Sequence, residues 1–281
     1  MIGGHIKRRR RHNLKAAVVS IEGRNIDEAW FCILSNLNKA RKYRITKGSF
    51  EGSYRYEFDK LDGIINKPIE YNDAGIRLPL AVTVPNGCAP PTDEDSIYNY
   101  YKNYLLSGSI TKNEHYKYGT FIVGGQLYIP DIDDNKNIKN IKYKIVNVPN
   151  QLEWAIEHYC QIKNGKKNFG NNHCYIQLGY PEMLLGYDIE ENYSSPCLRG
   201  IDTKIIFDEK ENKYYLCFHV YFRSWDLWSG FPTNMGGLAL LMEYMVTAIG
   251  VEIGYLSFSS IKAHFYDFSI NSVIQRCGLG Q

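Results

Sequence analysis

The chain lacks any apolar run near the ~18–20 residues needed to span a bilayer, so a helical membrane protein is not expected. No signal-peptide core follows the basic start, because Ala16-Ala17-Val18-Val19 ends almost at once. Its seven cysteines are odd in number and form no CxxC pair, which argues against a disulfide framework and for free thiols in a reducing cytoplasm. His158 with Cys160, and His173 with Cys174, lack a second ligand pair at zinc-like spacing, so no metal is expected. The Gly48 to Gly52 segment is not followed by Gly-Lys-Ser/Thr, and no GxSxG is present; a P-loop and an esterase-type nucleophile elbow are both excluded. No internal repeat is visible. Net charge is only +3, too small to argue for nucleic acid by itself.

What is present is an ordinary globular balance over 281 residues, 44% hydrophobic and 22% charged, with 23 tyrosines suited to broad apolar faces and ligand-facing hydroxyls. The dense run His5-Ile6-Lys7-Arg8-Arg9-Arg10-Arg11-His12 has no interleaved aromatics to stack on bases, and reads as a solvated tail over residues 1–14. Residues 15–281 read as one domain. Lys15 to Ile21 suggests a strand, and Asn25 to Arg41 has the spacing of a helix with one broad apolar face. Tyr54 to Phe58 alternates as a strand. Thr92-Asp93-Glu94 opens a helix that carries Ile97, Tyr98, Tyr101, Tyr104 and Leu105. Gly124-Gly125 reads as a hairpin turn, Asp131 to Lys144 as a polar surface insertion, and Gln151 to Ile162 as a helix. Strands follow over Cys174 to Leu178, Thr203 to Phe207 and Tyr214 to Phe222, with a polar hairpin over Asp208 to Lys213. Gly236 to Gly250 has the 3–4 spacing of a core helix through Leu238, Leu241, Met242, Met245 and Ile249. Leu256 to Phe258 and Ala263 to Phe268 complete an α+β domain with a large, mostly antiparallel or mixed sheet packed with helices.

The chemistry concentrates in Pro196-Cys197 and the run Tyr221 to Asn234. Addition of a thiolate to C6 of a uracil-like ring makes C5 nucleophilic. It needs a nearby cation and a polar group on the O4/N3 edge. Arg223 supplies a cation and a phosphate fork. Asn234 offers a donor and an acceptor on one short side chain. His264 and Tyr266 lie two apart on a strand, so they point the same way and can reach a sugar hydroxyl together.

Pro196-Cys197, Arg223-Ser224-x-Asp226, Gly230-x-Pro232-x-Asn234 and His264-x-Tyr266 occur in the order and spacing of the thymidylate synthase superfamily, which this chain resembles. That superfamily includes the pyrimidine-nucleotide hydroxymethylases. The finer texture is similar to the methanogen-type archaeal branch and to cytidylate hydroxymethylases. It is carried by Gly48-Ser49-x-x-Gly52-x-x-Arg55-x-Glu57-Phe58-Asp59, Tyr116-x-Tyr118-Gly119 and Cys197-Leu198-Arg199-x-Ile201-Asp202. The resemblance spans roughly residues 45 to 268 and implies a thymidylate-synthase-like fold, a sheet-mediated homodimer, and 5,10-methylenetetrahydrofolate as cosubstrate.

Carried over by position, the resemblance implies Cys197 as nucleophile and Tyr118 as the residue that helps remove the C5 proton through ordered water. Arg223 and Ser224 would hold the phosphate, with Lys47, Gly48 and Ser49 in support. Asn234 would read the base, while His264 and Tyr266 would hold the sugar. Asp226 and Gly230 would meet the reduced folate, and Glu94 is the candidate for the catalytic glutamate. Leu198 and Phe222 stand where other branches have histidine and glutamine, and Asn172-His173 where they have paired arginines. No tryptophan lies between Leu105 and Tyr118, where others shield the folate-derived intermediate. Shielding from water decides between a methyl and a hydroxymethyl product. The resemblance therefore implies conversion of dUMP to dTMP, with hydroxymethylation of dUMP, dCMP or CMP on the same site as an alternative. A non-catalytic nucleotide- or RNA-binding relative, contacting RNA through Arg8 to Arg11, is a further alternative.

Overall fold

The computed structural model describes residues 15–46, 50–110, 114, 116–131, 142–166, 170–185 and 195–278. The first half runs β1 (Val18–Gly23), α1 (Ile26–Leu34), β2 (Arg41–Arg44), β3 (Tyr54–Phe58), β4 (Lys60–Ile65), α2 (Glu94–Tyr100), α3 (Tyr118–Ile122), β5 (Gly125–Asp131) and β6 (Lys142–Val148). The second half runs α4 (Gln151–Lys163), β7 (Tyr175–Gln177), β8 (Leu198–Asp208), β9 (Lys213–Phe222), β10 (Trp225–Asp226), α5 (Gly230–Ile249), β11 (Glu252–Ser260), β12 (Ala263–Tyr266) and α6 (Ile270–Cys277). The fold is α+β.

A six-stranded mixed sheet has the order β1-β4-β11-β9-β8-β7, and a smaller four-stranded sheet has the order β10-β12-β3-β2. β5 and β6 form a separate antiparallel pair. Three chain segments pass between the two larger sheets through very short links. β3 joins β4 across Asp59, β9 joins β10 across Arg223-Ser224, and β11 joins β12 across Ile261-Lys262. β9 and β11 are parallel neighbours, so two of these links lie side by side at one end of the large sheet. Cys197, just before β8, is brought to the same end by the antiparallel pairing of β8 with β9.

The inner face of the large sheet packs on α5, whose Leu238, Leu241, Met242, Met245 and Ile249 are buried as their spacing predicts. The side chains of β8 alternate, with Thr203 and Ile205 inward and Asp202, Lys204 and Ile206 outward, as a half-covered sheet requires. Asn150 and Asp93 cap their helices with side-chain oxygens that accept from Glu153 N–H (3.0 Å) and Ser96 N–H (2.7 Å).

Three sequence expectations are corrected. The helix predicted over Asn25 to Arg41 stops at Leu34, and Arg41–Arg44 is strand β2. The Ser35 hydroxyl and the Asn36 amide donate back to the carbonyls of Phe31 and Cys32, both at 2.8 Å, at the point where the helix ends. Gly124-Gly125 joins α3 to β5 and is not a hairpin turn; Gly124 takes φ 85°, which a side chain would oppose. The core helix begins at Gly230, six residues earlier than read, with Pro232 tolerated in its first turn. Asn234 therefore lies within the helix. Most of the predicted insertion, 132–141, lies outside the described residues.

Candidate active site

Cys197 is half-buried, and its carbonyl accepts the backbone N–H of Arg223 at 2.8 Å. The pairing of β8 with β9 slips between Leu198 and Gly200, so the strand bends as it leaves the cysteine. The Arg223 side chain turns back on the same segment. Its Nε donates to the Pro196 carbonyl at 3.1 Å, and its Nη2 to the Ser195 carbonyl at 2.8 Å. The guanidinium thus fixes the approach to Cys197. Ser224 follows it in the link to β10.

Tyr118 opens α3, and its hydroxyl accepts the Leu198 N–H at 3.2 Å, which sets the phenol beside Cys197. Burial pushes this phenol well above its ordinary range, and Tyr100, Tyr116 and Cys197 push it further. It stays protonated at neutral pH, suited to ordering water and not to acting as an anionic base.

Tyr100, the last residue of α2, lies against α5. Burial raises its phenol well above the usual value. The Asn234 amide is close enough to oppose that rise, without meeting hydrogen-bond geometry at the buried hydroxyl. Tyr104 is pushed up to about 12, by burial first and then by Glu114 and Cys197. The Tyr100 and Tyr104 rings stack at 5.6 Å, and Tyr104 meets Tyr118 edge-on at 5.2 Å. A layer of phenols therefore adjoins Cys197. The close approach of α2 to α5 depends on Gly236 and Gly237, which face Ile97 and Tyr100 without room for a Cβ.

His264 and Tyr266 lie on β12, which pairs with β10 through Asp226 and His264. His264 is 4% exposed, and its Nδ1–H donates to the Lys262 carbonyl at 2.9 Å. Burial lowers its pKa, so the ring is neutral and Nε2 carries a lone pair. That Nε2 is buried with no partner among the described residues, as an acceptor awaiting a hydroxyl would be. The Tyr266 ring stands at right angles to it at 4.9 Å, and burial, Asp226 and Cys197 all raise its phenol.

Asn234 Oδ1 accepts the indole N–H of Trp225 at 3.0 Å. The carboxylate of Asp226 accepts Trp228 N–H at 3.0 Å and the Ser229 hydroxyl at 2.5 Å, shaping the turn into α5. Gly230 begins that helix; a Cβ there would lie 3.3 Å from Asp226 Cβ and 3.7 Å from Asn234 Oδ1, so its absence keeps the entrance open.

The structure thus gathers Cys197, Arg223, Ser224, Asp226, Gly230, Asn234, Tyr118, His264 and Tyr266 around the bend between the sheets. Glu94 is placed otherwise. Its carboxylate accepts the Ala81 N–H at 2.5 Å, in the first turn of α2. The end of that helix facing Asn234, about 9 Å further on at ~1.5 Å per residue, carries Tyr100 instead. Lys47, Gly48 and Ser49 lie outside the described residues. Sequence reasoning assigned no site role to Tyr100 or to Trp225. The i, i+4 pair Tyr100 and Tyr104 was a readable signal for the first. Among the described residues there is no cluster of three or more metal-ligating side chains, and no helix is long and apolar enough to cross a membrane.

The chain is similar to several known proteins. The family model described as Thymidylate synthase matches residues 185–278, which contain every motif block from Cys197 to Tyr266. A protein of Methanococcoides burtonii is 35% identical over 193 residues, covering 67% of this chain and 72% of its own. One from Methanosarcina barkeri is 25% identical over 247 residues, covering 88% and 89%. Both carry the name "Putative thymidylate synthase". Among solved structures, thermostable thymidylate synthase A from Bacillus subtilis superposes with a TM-score of 0.56 at 15% identity, covering 92% of this chain and 85% of that one.

Proposed function

Because this chain belongs to the thymidylate synthase family, we propose that it transfers a one-carbon unit to C5 of a pyrimidine nucleotide, converting dUMP to dTMP through a Cys197 adduct at C6. The observation that carries the reading is that the segment of Cys197 is held on one side by the Arg223 guanidinium, bonded to the Ser195 and Pro196 carbonyls, and on the other by the Tyr118 phenol, bonded to the Leu198 N–H. Cys197 adds at C6, and the ring electrons move toward O4, where the Asn234 amide donates. C5 then attacks the one-carbon unit. Tyr118 holds the water that takes the C5 proton, and the transferred carbon then parts from the folate nitrogen as an exocyclic methylene on C5. Hydride or water adds to that methylene, the C5–C6 double bond re-forms, and the cysteine departs. The cosubstrate, 5,10-methylenetetrahydrofolate, supplies the carbon and, for a methyl product, the hydride. Asp226 and Gly230, at the entrance to α5, would hold it. Arg223 and Ser224 would bind the phosphate, with Lys47 and Ser49, and the His264 lone pair would accept from a sugar hydroxyl.

Hydroxymethylation is the second reading. It is favoured by the phenols of Tyr100, Tyr104 and Tyr118, which line the site with groups able to order water. The two readings share the first steps and differ in what meets the exocyclic methylene.

We further propose that residues 15–281 form one domain with residues 1–14 as a basic tail, that the protein works in the cytoplasm, and that it is a homodimer. Val18, Ile64 and Ile206 are exposed on the outer face of the large sheet, where Ile64 lies in one row with Ser257, His219 and Asp202, and they offer a surface for a second copy.

The test is release of tritium from C5-labelled dUMP in the presence of 5,10-methylenetetrahydrofolate, with the product weighed. Release that disappears in Cys197→Ala supports the transfer, and no release from dUMP, dCMP, UMP or CMP refutes it. A 5-hydroxymethyl product without dihydrofolate would replace the methyl reading by the second one.

A further inference from the structure

An asparagine amide presents a donor and an acceptor that exchange places on a half-turn of the side chain. At Asn234 that half-turn is blocked. The Trp225 indole N–H donates to Asn234 Oδ1 at 3.0 Å, and an indole N–H has no acceptor role. The indole itself is 3% exposed and cannot swing away. It is stacked on Phe222 at 4.1 Å with 6° between the planes, and packed by Phe231 at 4.9 Å and edge-on by Phe258 at 5.6 Å. Its backbone is tied as well, Trp225 N–H donating to the Lys262 carbonyl at 3.2 Å.

Turning the amide over would set its NH2 against the indole N–H and leave two inward-facing donors opposed. The other neighbour, the Tyr100 hydroxyl, imposes no choice, because a hydroxyl donates or accepts as required. Among the described residues, Trp225 alone sets the polarity. The amide is held with its NH2 available to donate and its oxygen with a second lone pair available to accept.

We propose that Trp225 is a specificity-determining positioning residue, locking the Asn234 amide in the orientation that accepts a uracil edge and rejects a cytosine edge. Uracil presents an O4 acceptor and an N3–H donor, which match the locked amide. Cytosine presents an N4 amino donor and an N3 acceptor, which match only the overturned one. The inference rests on the reading that Asn234 meets the base. It goes beyond that reading by naming what fixes the choice of base.

The test uses the full chain and two replacements of Trp225. One is Trp225→Phe; the other is a benzothienyl-alanine at 225, which keeps the bicyclic shape and lacks the N–H. Dissociation constants for dUMP and dCMP are measured by titration calorimetry, and tritium release from both C5-labelled nucleotides is followed in the same preparations. Wild type is expected to bind dUMP at least ~10-fold more tightly than dCMP, as a site with fixed polar groups discriminates. In the benzothienyl protein the ratio falls to within ~3-fold, mainly through tighter dCMP binding, because one amide rotation then serves either base. An unchanged ratio in that protein, with melting near wild type, overturns the proposal, as does a wild type with no preference for dUMP. If Trp225→Phe fails to fold, the benzothienyl protein decides alone. A wild type that prefers dUMP in binding, loses the preference in the benzothienyl protein, and releases no tritium supports the lock and refutes the transfer reading. Failure to bind either nucleotide overturns both.

Discussion

Replacing Gly237 by alanine sets a gain in helix propensity against a steric loss, and the structure decides which wins. Alanine in a helix interior is favoured over glycine by about 0.5–1 kcal/mol. The new Cβ would fall 2.9 Å from Tyr100 Cε1, closer still to Cδ1, and 3.5 Å from Leu105 Cδ1. Relief requires the Tyr100 ring to move, yet that ring is stacked on Tyr104. Overpacking of this kind costs about 1–3 kcal/mol, so the net effect is a loss of roughly 1–2 kcal/mol. For a chain of this size that lowers the melting temperature by roughly 2–8 °C. Gly237 and Asn234 lie three apart on one helix face, so a displaced Tyr100 also leaves the Asn234 amide, and tritium release should fall with stability. Differential scanning calorimetry on Gly237→Ala, and on Gly237→Ala combined with Tyr100→Leu, separates the effects. The second change should recover melting but not activity. A Gly237→Ala protein that melts above wild type with full activity would refute the wedge.

Tyr118→Phe leaves the buried Leu198 N–H without its acceptor, which should cost about 1–3 kcal/mol in chemical denaturation and slow tritium release by ~100-fold; an unchanged midpoint contradicts the contact. The folded-state pKa of His264 is lowered below the ordinary 6.5, so below that value the unfolded chain binds a proton that the folded chain refuses. Stability should therefore fall as pH drops from 6.5 toward the depressed value and be unaffected by this group above 6.5. His264→Asn should flatten that part of the melting-temperature profile, and an identical profile in both proteins counts against it. Ile64→Lys places a charge on the outer face of the large sheet. It should leave the melting of the isolated fold little changed and shift sedimentation from dimer to monomer; a wild type that sediments as a monomer removes that interface.

The late strands and the core helix were legible because their apolar spacing is strong and local. Leu238, Leu241 and Met245 needed no partner to be read as one face. The end of α1 was not, because it depends on Ser35 and Asn36 turning back to preceding carbonyls, a competition that periodicity does not register. Strands β2 and β4 were missed for another reason: Arg41–Arg44 is polar, and Lys60–Ile65 is defined by neighbours from distant segments. At the site, order and spacing delivered Cys197, Arg223, Asn234, His264 and Tyr266, which the sheet bend brings together. Tyr100 was readable only as half of an i, i+4 pair, because its packing on α5 joins elements far apart in sequence, and the contact of Trp225 with Asn234 was hidden because a bend turns the two toward each other.

The central claim is a covalent bond between Cys197 and C6 of the pyrimidine. With 5-fluoro-dUMP and 5,10-methylenetetrahydrofolate, C5 holds fluorine in place of the removable proton, so the adduct cannot resolve. Mass spectrometry of the denatured, digested protein should find nucleotide and folate on the peptide containing Cys197, and no adduct in Cys197→Ser. An unmodified Cys197 peptide from the wild-type incubation, or an adduct on another cysteine, would contradict the account.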